Sequence, residues 1–87
     1  MSYRVSLKES AEKALARLPR NVQGRIITKI VSLGADPRPP GCVKLAGAAR
    51  MWRIRVGDYR IVYLVDDPLE AVDVRIVAHR REVYRDL

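Results

Sequence analysis

Hydrophobic positions at the start of the chain change from an alternating to a helical period. Residues 3–7 (YRVSL) alternate apolar and polar side chains, which predicts a half-buried strand. From Ser10 onward the apolar residues recur at i, i+3, i+4 and i+7, which predicts a helix that Ser10 caps and Pro19 ends. Similar spacing over 21–33, followed by Gly34, predicts a second helix and therefore a helical hairpin.

The alternating period returns after a loop rich in proline and glycine, at 34–42. It predicts further strands at about 51–56, 59–65 and 72–78. Only the dipeptide Gly-Asp separates the first two of these strands, and it suits a two-residue hairpin turn with glycine first. The longer segment DDPLE joins the second of them to the third.

The resulting order is β-α-α-β-β-β, which predicts a single α+β domain spanning residues 1–87. We expect an antiparallel sheet with the helical hairpin packed on one face. The first strand cannot reach a neighbour through a tight turn, so its place in the sheet stays open. Because so short a chain buries little surface, we expect function on an exposed face or in a shallow groove.

The two-residue turn determines how its flanking strands face each other. Arg55 lies opposite Arg60, and Arg53 shares their side of the sheet. The other side is apolar and should cover the helices; it carries Trp52, Ile54, Val56, Tyr59, Ile61 and Tyr63. Because facing like charges cost a few tenths to about 1 kcal/mol, we interpret the arginines as a prepared anion site. The alternative interpretation is that a nearby carboxylate, such as Asp58, neutralises the pair.

The last predicted strand brings more basic side chains to the same end of the sheet. Regular pairing across the DDPLE loop places Val77 beside Arg60 and Ala78 beside Tyr59. The residues that follow then emerge next to the hairpin arginines: His79, Arg80 and Arg81. If the chain turns helical after this strand, the first arginine of that segment shares a helix face with Tyr84.

The overall charge favours a polyanionic partner. The formal net charge is +7, with 13 arginines and 4 lysines among 87 residues. Arginine suits phosphate because its planar guanidinium donates two parallel hydrogen bonds. The alternative is a soluble basic protein whose charged side chains are simply solvated.

The remaining composition excludes several other kinds of chemistry. Cys42 is the only cysteine, so no internal disulfide forms, which fits a reducing cytoplasm. One histidine and one cysteine do not make a convincing metal-ligand set, and no Gly-rich phosphate loop is present. No apolar run approaches the roughly 18 residues of a membrane span, and no signal peptide opens the chain. We therefore expect a cytoplasmic protein without metal or cofactor.

Several segments resemble the RelE/ParE superfamily of bacterial and archaeal toxins, on the RelE side. These segments are ALARLP (14–19), KLAG (44–47), WRIRVGDYRIVYLV (52–65) and HRREVY (79–84). The resemblance extends over essentially the whole chain and its order of elements, and it therefore implies a RelE-like fold. It implies a toxin that cleaves mRNA in the ribosomal A site. It also implies a cognate, RelB-like antitoxin that wraps and neutralises the toxin, so the expected partners are antitoxin, ribosome and mRNA.

The resemblance also implies which side chains perform the cleavage. The catalytic set falls on Arg55, Arg60, Arg80 and Tyr84. The RNA-binding set falls on Lys44, Arg53, His79 and Arg81. In this reaction a ribose 2′-OH attacks the adjacent phosphorus without a metal, and Arg60 and Arg80 stabilise the phosphorane, at about 2–4 kcal/mol per donor. We expect Tyr84 to be the base, because nearby cations favour the phenolate. Tyr84 could instead stack on a nucleobase, and His79 is the alternative base.

Two other functions remain open on the sequence. One is a ParE-like protein that inhibits DNA gyrase without cutting RNA, and the other is a non-catalytic module that binds RNA or an antitoxin. The basic residues of the helices are likewise either a solvated face or contacts to ribosomal RNA phosphates: Arg17, Arg20, Arg25 and Lys29.

Overall fold

The computed structural model of the protein describes residues 2–81. The predicted order of helices and strands is confirmed, with one additional short strand before the hairpin. The elements are β1 (Arg4–Leu7), α1 (Glu9–Ala16), α2 (Arg20–Ser32), β2 (Val43–Lys44), β3 (Met51–Val56), β4 (Tyr59–Asp66) and β5 (Ala71–His79).

The strands form one five-stranded sheet in the order β1-β5-β4-β3-β2. The pairs β2–β3, β3–β4 and β4–β5 are antiparallel, as predicted for the hairpin strands. The first strand, whose place the sequence left open, pairs parallel with β5, with Arg4 opposite Ala71. The sheet is therefore mixed rather than purely antiparallel, because the chain crosses over the sheet through both helices before it returns beside β1.

Helix α1 begins one residue before its predicted cap, Ser10, and α2 begins one residue before its predicted start at residue 21. Lys8 precedes α1 and Pro19 precedes α2, and neither makes a side-chain capping hydrogen bond. Ser10 lies inside α1, so its predicted role as N-cap is wrong. Glu9 and Glu12 occupy the first turn of α1, where carboxylates interact favourably with the positive end of the helix dipole. Electrostatics in the first turn thus stands in for a capping side chain.

The hydrophobic core fills the space between the helix pair and one face of the sheet. The helices contribute Ala11, Leu15, Ile26, Ile30 and Leu33. The predicted apolar face of the β3–β4 hairpin packs against them, with Ile54, Ile61 and Tyr63 buried. The Tyr63 hydroxyl donates a 2.8 Å hydrogen bond to the carbonyl oxygen of Pro37, and burial raises the pKa of this phenol. This bond ties the loop after α2 to the centre of the sheet.

A polar cluster holds the same loop at the surface. The Arg38 guanidinium lies 5.4 Å from the ring centroid of Trp52 and forms an ion pair with Asp67. The Tyr3 hydroxyl donates to the other carboxylate oxygen of Asp67 at 2.6 Å. Hydrogen bonds from Tyr3 and Arg38 lower the pKa of Asp67 below its usual value. The loop before β2 is therefore connected to the β4–β5 turn, and through Asp67 to Tyr3, the residue before β1.

A β-bulge interrupts the pairing of β4 with β5. Tyr63 pairs with Val74, but its neighbour Val62 pairs with Ile76, so Arg75 is an extra residue in β5. The Nε atom of Arg75 lies 2.7 Å from a carboxylate oxygen of Asp73. The bulge shifts every residue of β5 beyond it by one position.

This shift makes the predicted register at the end of β5 wrong by one residue. Ala78, and not Val77, pairs with Arg60, and His79 pairs with Tyr59. Because facing residues share a side of the sheet, His79 lies with Tyr59 on the helix side. Val77 accordingly joins the main core.

Candidate functional site

Three arginines share the face of the sheet that the helices leave uncovered. The β3–β4 register is confirmed, with Arg55 opposite Arg60 and Arg53 opposite Val62. Of the two turn residues between these strands, only Gly57 has a positive φ, of 59°, as a type II′ turn requires. The turn and the alternation of the strands together place the arginine side chains on one side of the hairpin.

These arginines line a cleft at the edge of β3, which we call the arginine cleft. The short strand β2 pairs with β3 only at Trp52 and Arg53, so the rest of β3 has no strand neighbour on that side among residues 2–81. The cleft opens there, with a volume of about 380 Å³. Its charged lining residues are Lys29, Arg53, Arg55 and Arg60. The remaining lining is Pro40, Gly41, Val43 and Ile54.

No carboxylate belongs to the part of this lining that the structure describes. Within residues 2–81 the ion pairs are Glu9–Lys13, Arg38–Asp67, Arg50–Asp66 and Asp73–Arg75. Asp58 therefore forms no ion pair with Arg55 or Arg60, so neutralisation of the pair by Asp58 is not supported. The Arg60 guanidinium donates to the backbone oxygen of Tyr59 at 3.2 Å, which orients it at the hairpin end. An oxyanion in this cleft would relieve the repulsion between the facing cations.

Arg80 and Arg81 follow at the end of β5 and are exposed. The backbone N–H of Arg80 donates to the carbonyl oxygen of Asp58 at 2.7 Å, which continues the β4–β5 pairing beyond His79. Because side chains alternate along a strand, this register assigns Arg80 to the face of Ala78 and Arg60. The structure thus brings Arg80 to the hairpin turn, beside the arginine cleft but outside its lining.

Other predicted residues lie apart from the arginine cleft. Lys44 pairs with Trp52, so it belongs to the opposite side of the sheet from Arg53. His79 lies on the helix side, with its ring centroid 5.5 Å from that of Tyr59. Tyr84, the predicted base, lies outside the described residues. The cleft therefore unites Arg53, Arg55 and Arg60 without Lys44 or His79.

Lys29 is the lining residue that sequence reasoning did not place in the site. The sequence leaves two interpretations of Lys29 open, a solvated helix face or a contact to ribosomal RNA phosphates, because its position on α2 suits both. Only the packing of α2 against the open edge of β3 places it opposite the arginines. The pattern along a helix cannot reveal this tertiary position.

Neither a metal-ligand cluster nor a membrane-spanning helix occurs among the described residues. Within residues 2–81, no group of three or more His, Cys, Asp or Glu side chains is arranged to hold a metal ion. None of the helices in this part of the chain is long and apolar enough to cross a membrane.

Comparison with known proteins identifies a family and several similar structures. The family model for the ParE toxin of the type II toxin-antitoxin system parDE matches residues 5–84. The archaeal RelE of the RelE–RelB complex from Pyrococcus horikoshii OT3 is 29% identical, with a TM-score of 0.82 over 92% of this chain and 97% of that one. The isolated E. coli RelE toxin is 31% identical, with a TM-score of 0.74 over 98% and 93% of the chains.

A third similar structure comes from the RelBE2 toxin-antitoxin complex of Mycobacterium tuberculosis. Its matching chain is 26% identical, with a TM-score of 0.81 over 92% of this chain and 100% of that one. No curated protein sequence matches the chain.

Proposed function

Because the chain belongs to the ParE toxin family of type II toxin-antitoxin systems, within the RelE/ParE superfamily, we propose that it cleaves mRNA on the ribosome. The observation that carries this proposal is the arginine cleft, where Arg55 and Arg60 face each other and Lys29 and Arg53 complete the lining. The similarity to solved RelE toxins over nearly the whole chain supports the same activity. The proposed site of action is the cytoplasm, where mRNA is translated.

The reaction proposed for the cleft is a transesterification within the RNA strand. The ribose 2′-oxygen forms a bond to the adjacent phosphorus, the bond to the 5′-oxygen of the next nucleotide breaks, and a 2′,3′-cyclic phosphate results. The pentavalent intermediate carries more negative charge than the diester. Arg55, Arg60 and Arg80 would bind its non-bridging oxygens, and each preorganised donor contributes about 2–4 kcal/mol to such a transition state.

One proton must leave the 2′-OH and another must reach the 5′-oxygen. Arginine is a poor base because it stays protonated in proteins. Of the two bases considered, His79 lies on the helix side of the sheet, away from Arg55 and Arg60. We therefore keep Tyr84 as the proposed base. Tyr84→Phe tests this role, because it removes only the hydroxyl that would accept the proton.

The shape of the cleft explains why the ribosome would be needed. The arginine cleft is shallow and open at the sheet edge, and a free single strand has many conformations. Orienting the 2′-oxygen in line with the leaving oxygen can contribute several kcal/mol to a reaction, because the entropy is lost in advance. A ribosome-bound codon would provide that orientation, whereas the isolated protein would not.

A cognate antitoxin is the second partner of the proposal. Several of the similar RelE structures are complexes with RelB antitoxins. We propose that an antitoxin with acidic side chains binds this protein, since the net charge of +7 favours an oppositely charged partner. The same arginines would then serve substrate binding and neutralisation.

The test is primer extension on mRNA translated in a cell-free system with added protein. Wild type should produce cleavage sites within codons, and Arg60→Ala should reduce the cleavage rate by about 100-fold or more. Arg4→Ala, at the other edge of the sheet, is the matched control and should cleave as wild type does. Unchanged cleavage by the Arg60 variant would disprove the proposed role of the cleft.

Inhibition of DNA gyrase is a second candidate, because the matching family model is that of ParE. A supercoiling assay with purified gyrase separates the two functions. Inhibition of supercoiling together with intact translated mRNA would favour the ParE-like function. The arginine cleft favours the RNA-directed one, since binding a protein surface requires no facing pair of cations.

A further inference from the structure

A second cleft lies at the same end of the sheet, on the helix side. It has a volume of about 440 Å³ and lies between the end of α1 and the paired ends of β4 and β5. Its functional side chains are Arg17, Tyr59 and His79, and we call it the histidine cleft. It shares no lining residue with the arginine cleft.

Two aromatic rings form one wall of the histidine cleft. Tyr59 and His79 face each other across the β4–β5 pair and are both half-buried. Their ring planes cross at 80°, an edge-to-face arrangement. The Nδ1 atom of His79 accepts a hydrogen bond from the Arg81 backbone N–H at 3.3 Å, which fixes the orientation of the imidazole. Such a pair offers a flat ligand a ring face and a polar ring edge.

Arg17 supplies the positive charge of the same cleft. It is exposed, follows the last turn of α1, and forms no ion pair with a carboxylate among residues 2–81. An aromatic wall beside a guanidinium matches the two parts of a nucleotide, because the base stacks and the phosphate binds the cation. The size and chemistry of the cleft therefore suit one nucleotide.

A third, smaller cleft lies at the hairpin turn and adjoins the histidine cleft. It has a volume of about 220 Å³, and Tyr59 lines both it and the histidine cleft. Its charged lining residues are Asp58 and Arg25 of α2, and the Arg25 guanidinium packs against the turn at Gly57. Lys29, in the arginine cleft, lies one helical turn further along the same helix, about 6 Å away along its axis. Each of the three clefts at this end of the sheet thus has at least one basic side chain, with the Asp58 carboxylate beside Arg25 in the third.

We propose that the histidine cleft binds a nucleotide that neighbours the scissile phosphate, with the base against His79 and Tyr59 and a phosphate on Arg17. This inference rests on the proposed function, because it assigns a subsite to the same RNA. The inference goes beyond the proposed function because it assigns a base-contacting pocket to the opposite side of the sheet from the phosphate-binding arginines.

The sole histidine of the chain provides a direct test by proton NMR. The full-length protein is titrated with an RNA trinucleotide whose 2′-oxygens are methylated, which prevents cleavage. The two ring-proton resonances of His79 should shift saturably, because a base stacked nearby adds its ring current. A ribose phosphate without a base should leave these resonances in place. RNA binding, measured in parallel by fluorescence anisotropy, without a shift of the His79 signals would overturn the proposal.

Charge substitutions test the phosphate contact. Arg17→Gln should weaken RNA binding and lower the slope of log K against log salt by about 0.7, the contribution of one phosphate contact to a single strand. Arg4→Gln is the matched control: it removes the same charge at the far end of the β1–β5 pair, some 26 Å from His79 along β5, and should change neither. Equal effects of the two substitutions would contradict the proposed subsite.

The stacking contact has its own variant. His79→Ala should weaken binding by at least about fivefold, the lower end for loss of a stacked base. Each variant is first compared with wild type by its amide NMR spectrum, so that loss of folding is recognised.

Failure of the subsite and failure of the proposed function give different results. If wild type cleaves translated mRNA but the His79 ring-proton resonances do not shift when RNA binds, only the proposed subsite is wrong. If wild type neither binds RNA nor cleaves mRNA, both proposals are wrong.

Discussion

Replacing Arg55 by threonine should make the protein more stable while it weakens RNA binding. Arg55 stands directly opposite Arg60, and within residues 2–81 neither forms an ion pair. Facing like charges cost about 0.2–1 kcal/mol, and the substitution removes that cost from the folded state. For a domain of this size, 1 kcal/mol shifts Tm by about 4–8 °C, so we expect a rise of roughly 1–8 °C.

The assay is urea and thermal unfolding in a phosphate-free buffer at low and high salt. Because the Debye length falls to about 3 Å at 1 M salt, the gain in stability should shrink as salt screens the pair. Arg4→Thr is the matched control, since Arg4 is an exposed strand residue that faces Ala71 instead of a cation. It makes the same change in net charge and strand propensity without relieving a facing pair.

Two results would refute this reasoning. A stability gain no larger than that of Arg4→Thr would show that the facing arginines do not repel each other measurably. A gain of equal size at low and high salt would show that its origin is not electrostatic. In either case the facing arginines would not lower the free energy of unfolding of the anion-free protein through their mutual repulsion.

Two further predictions concern the hairpin turn and the surface cluster. Gly57→Ala should lower the free energy of unfolding by at least about 1 kcal/mol, because φ is 59° and the new Cβ would stand 3.2 Å from a guanidinium nitrogen. Gly24→Ala, in an exposed helical position with no atom within 4 Å of the new Cβ, should instead raise it by about 0.5–1 kcal/mol, and urea titration checks both. For Asp67, hydrogen bonds from Tyr3 and Arg38 lower the pKa in the folded state, so its stabilising effect is present above the usual value of 3.8 and is lost as pH falls through the folded pKa. The stability difference between wild type and Asp67→Asn should therefore vanish in acid; a difference that stays constant with pH would contradict this.

The local pattern was sufficient for the hairpin that carries the arginines. Strict alternation on both sides of a two-residue turn permits only one register, since a slip by one residue would bury Arg55 and expose Ile54. The pairing of β3 with β4 is accordingly as predicted. The arginine face follows from that register alone.

The position of His79 could not be obtained in the same way, because it depends on the bulge at Arg75. Ile76, Val77 and Ala78 are all apolar, so the sequence gives no sign of which of them faces the core. Regular pairing would put His79 on the arginine side, whereas the extra residue puts it beside Tyr59. The one-residue bulge in β5 thus determines the side of the sheet on which the His79 imidazole lies.

The neighbours of β1 and the location of Lys29 were also beyond local reasoning. Parallel pairing of β1 with β5 joins segments that are far apart in the sequence, and no turn motif predicts such a pair. Lys29 belongs to the arginine cleft only because α2 packs near the open edge of β3. Both facts depend on tertiary packing, which the spacing of residues along one element does not encode.

The parallel β1–β5 pair has a consequence for how the protein folds during its synthesis. The strand made first has no partner until the strand that ends at His79 has been synthesised. A nascent chain therefore lacks the central partner of its first strand, and contacts this distant in sequence form late and slowly. The sheet of this protein is therefore complete only after nearly all of its strands have been synthesised.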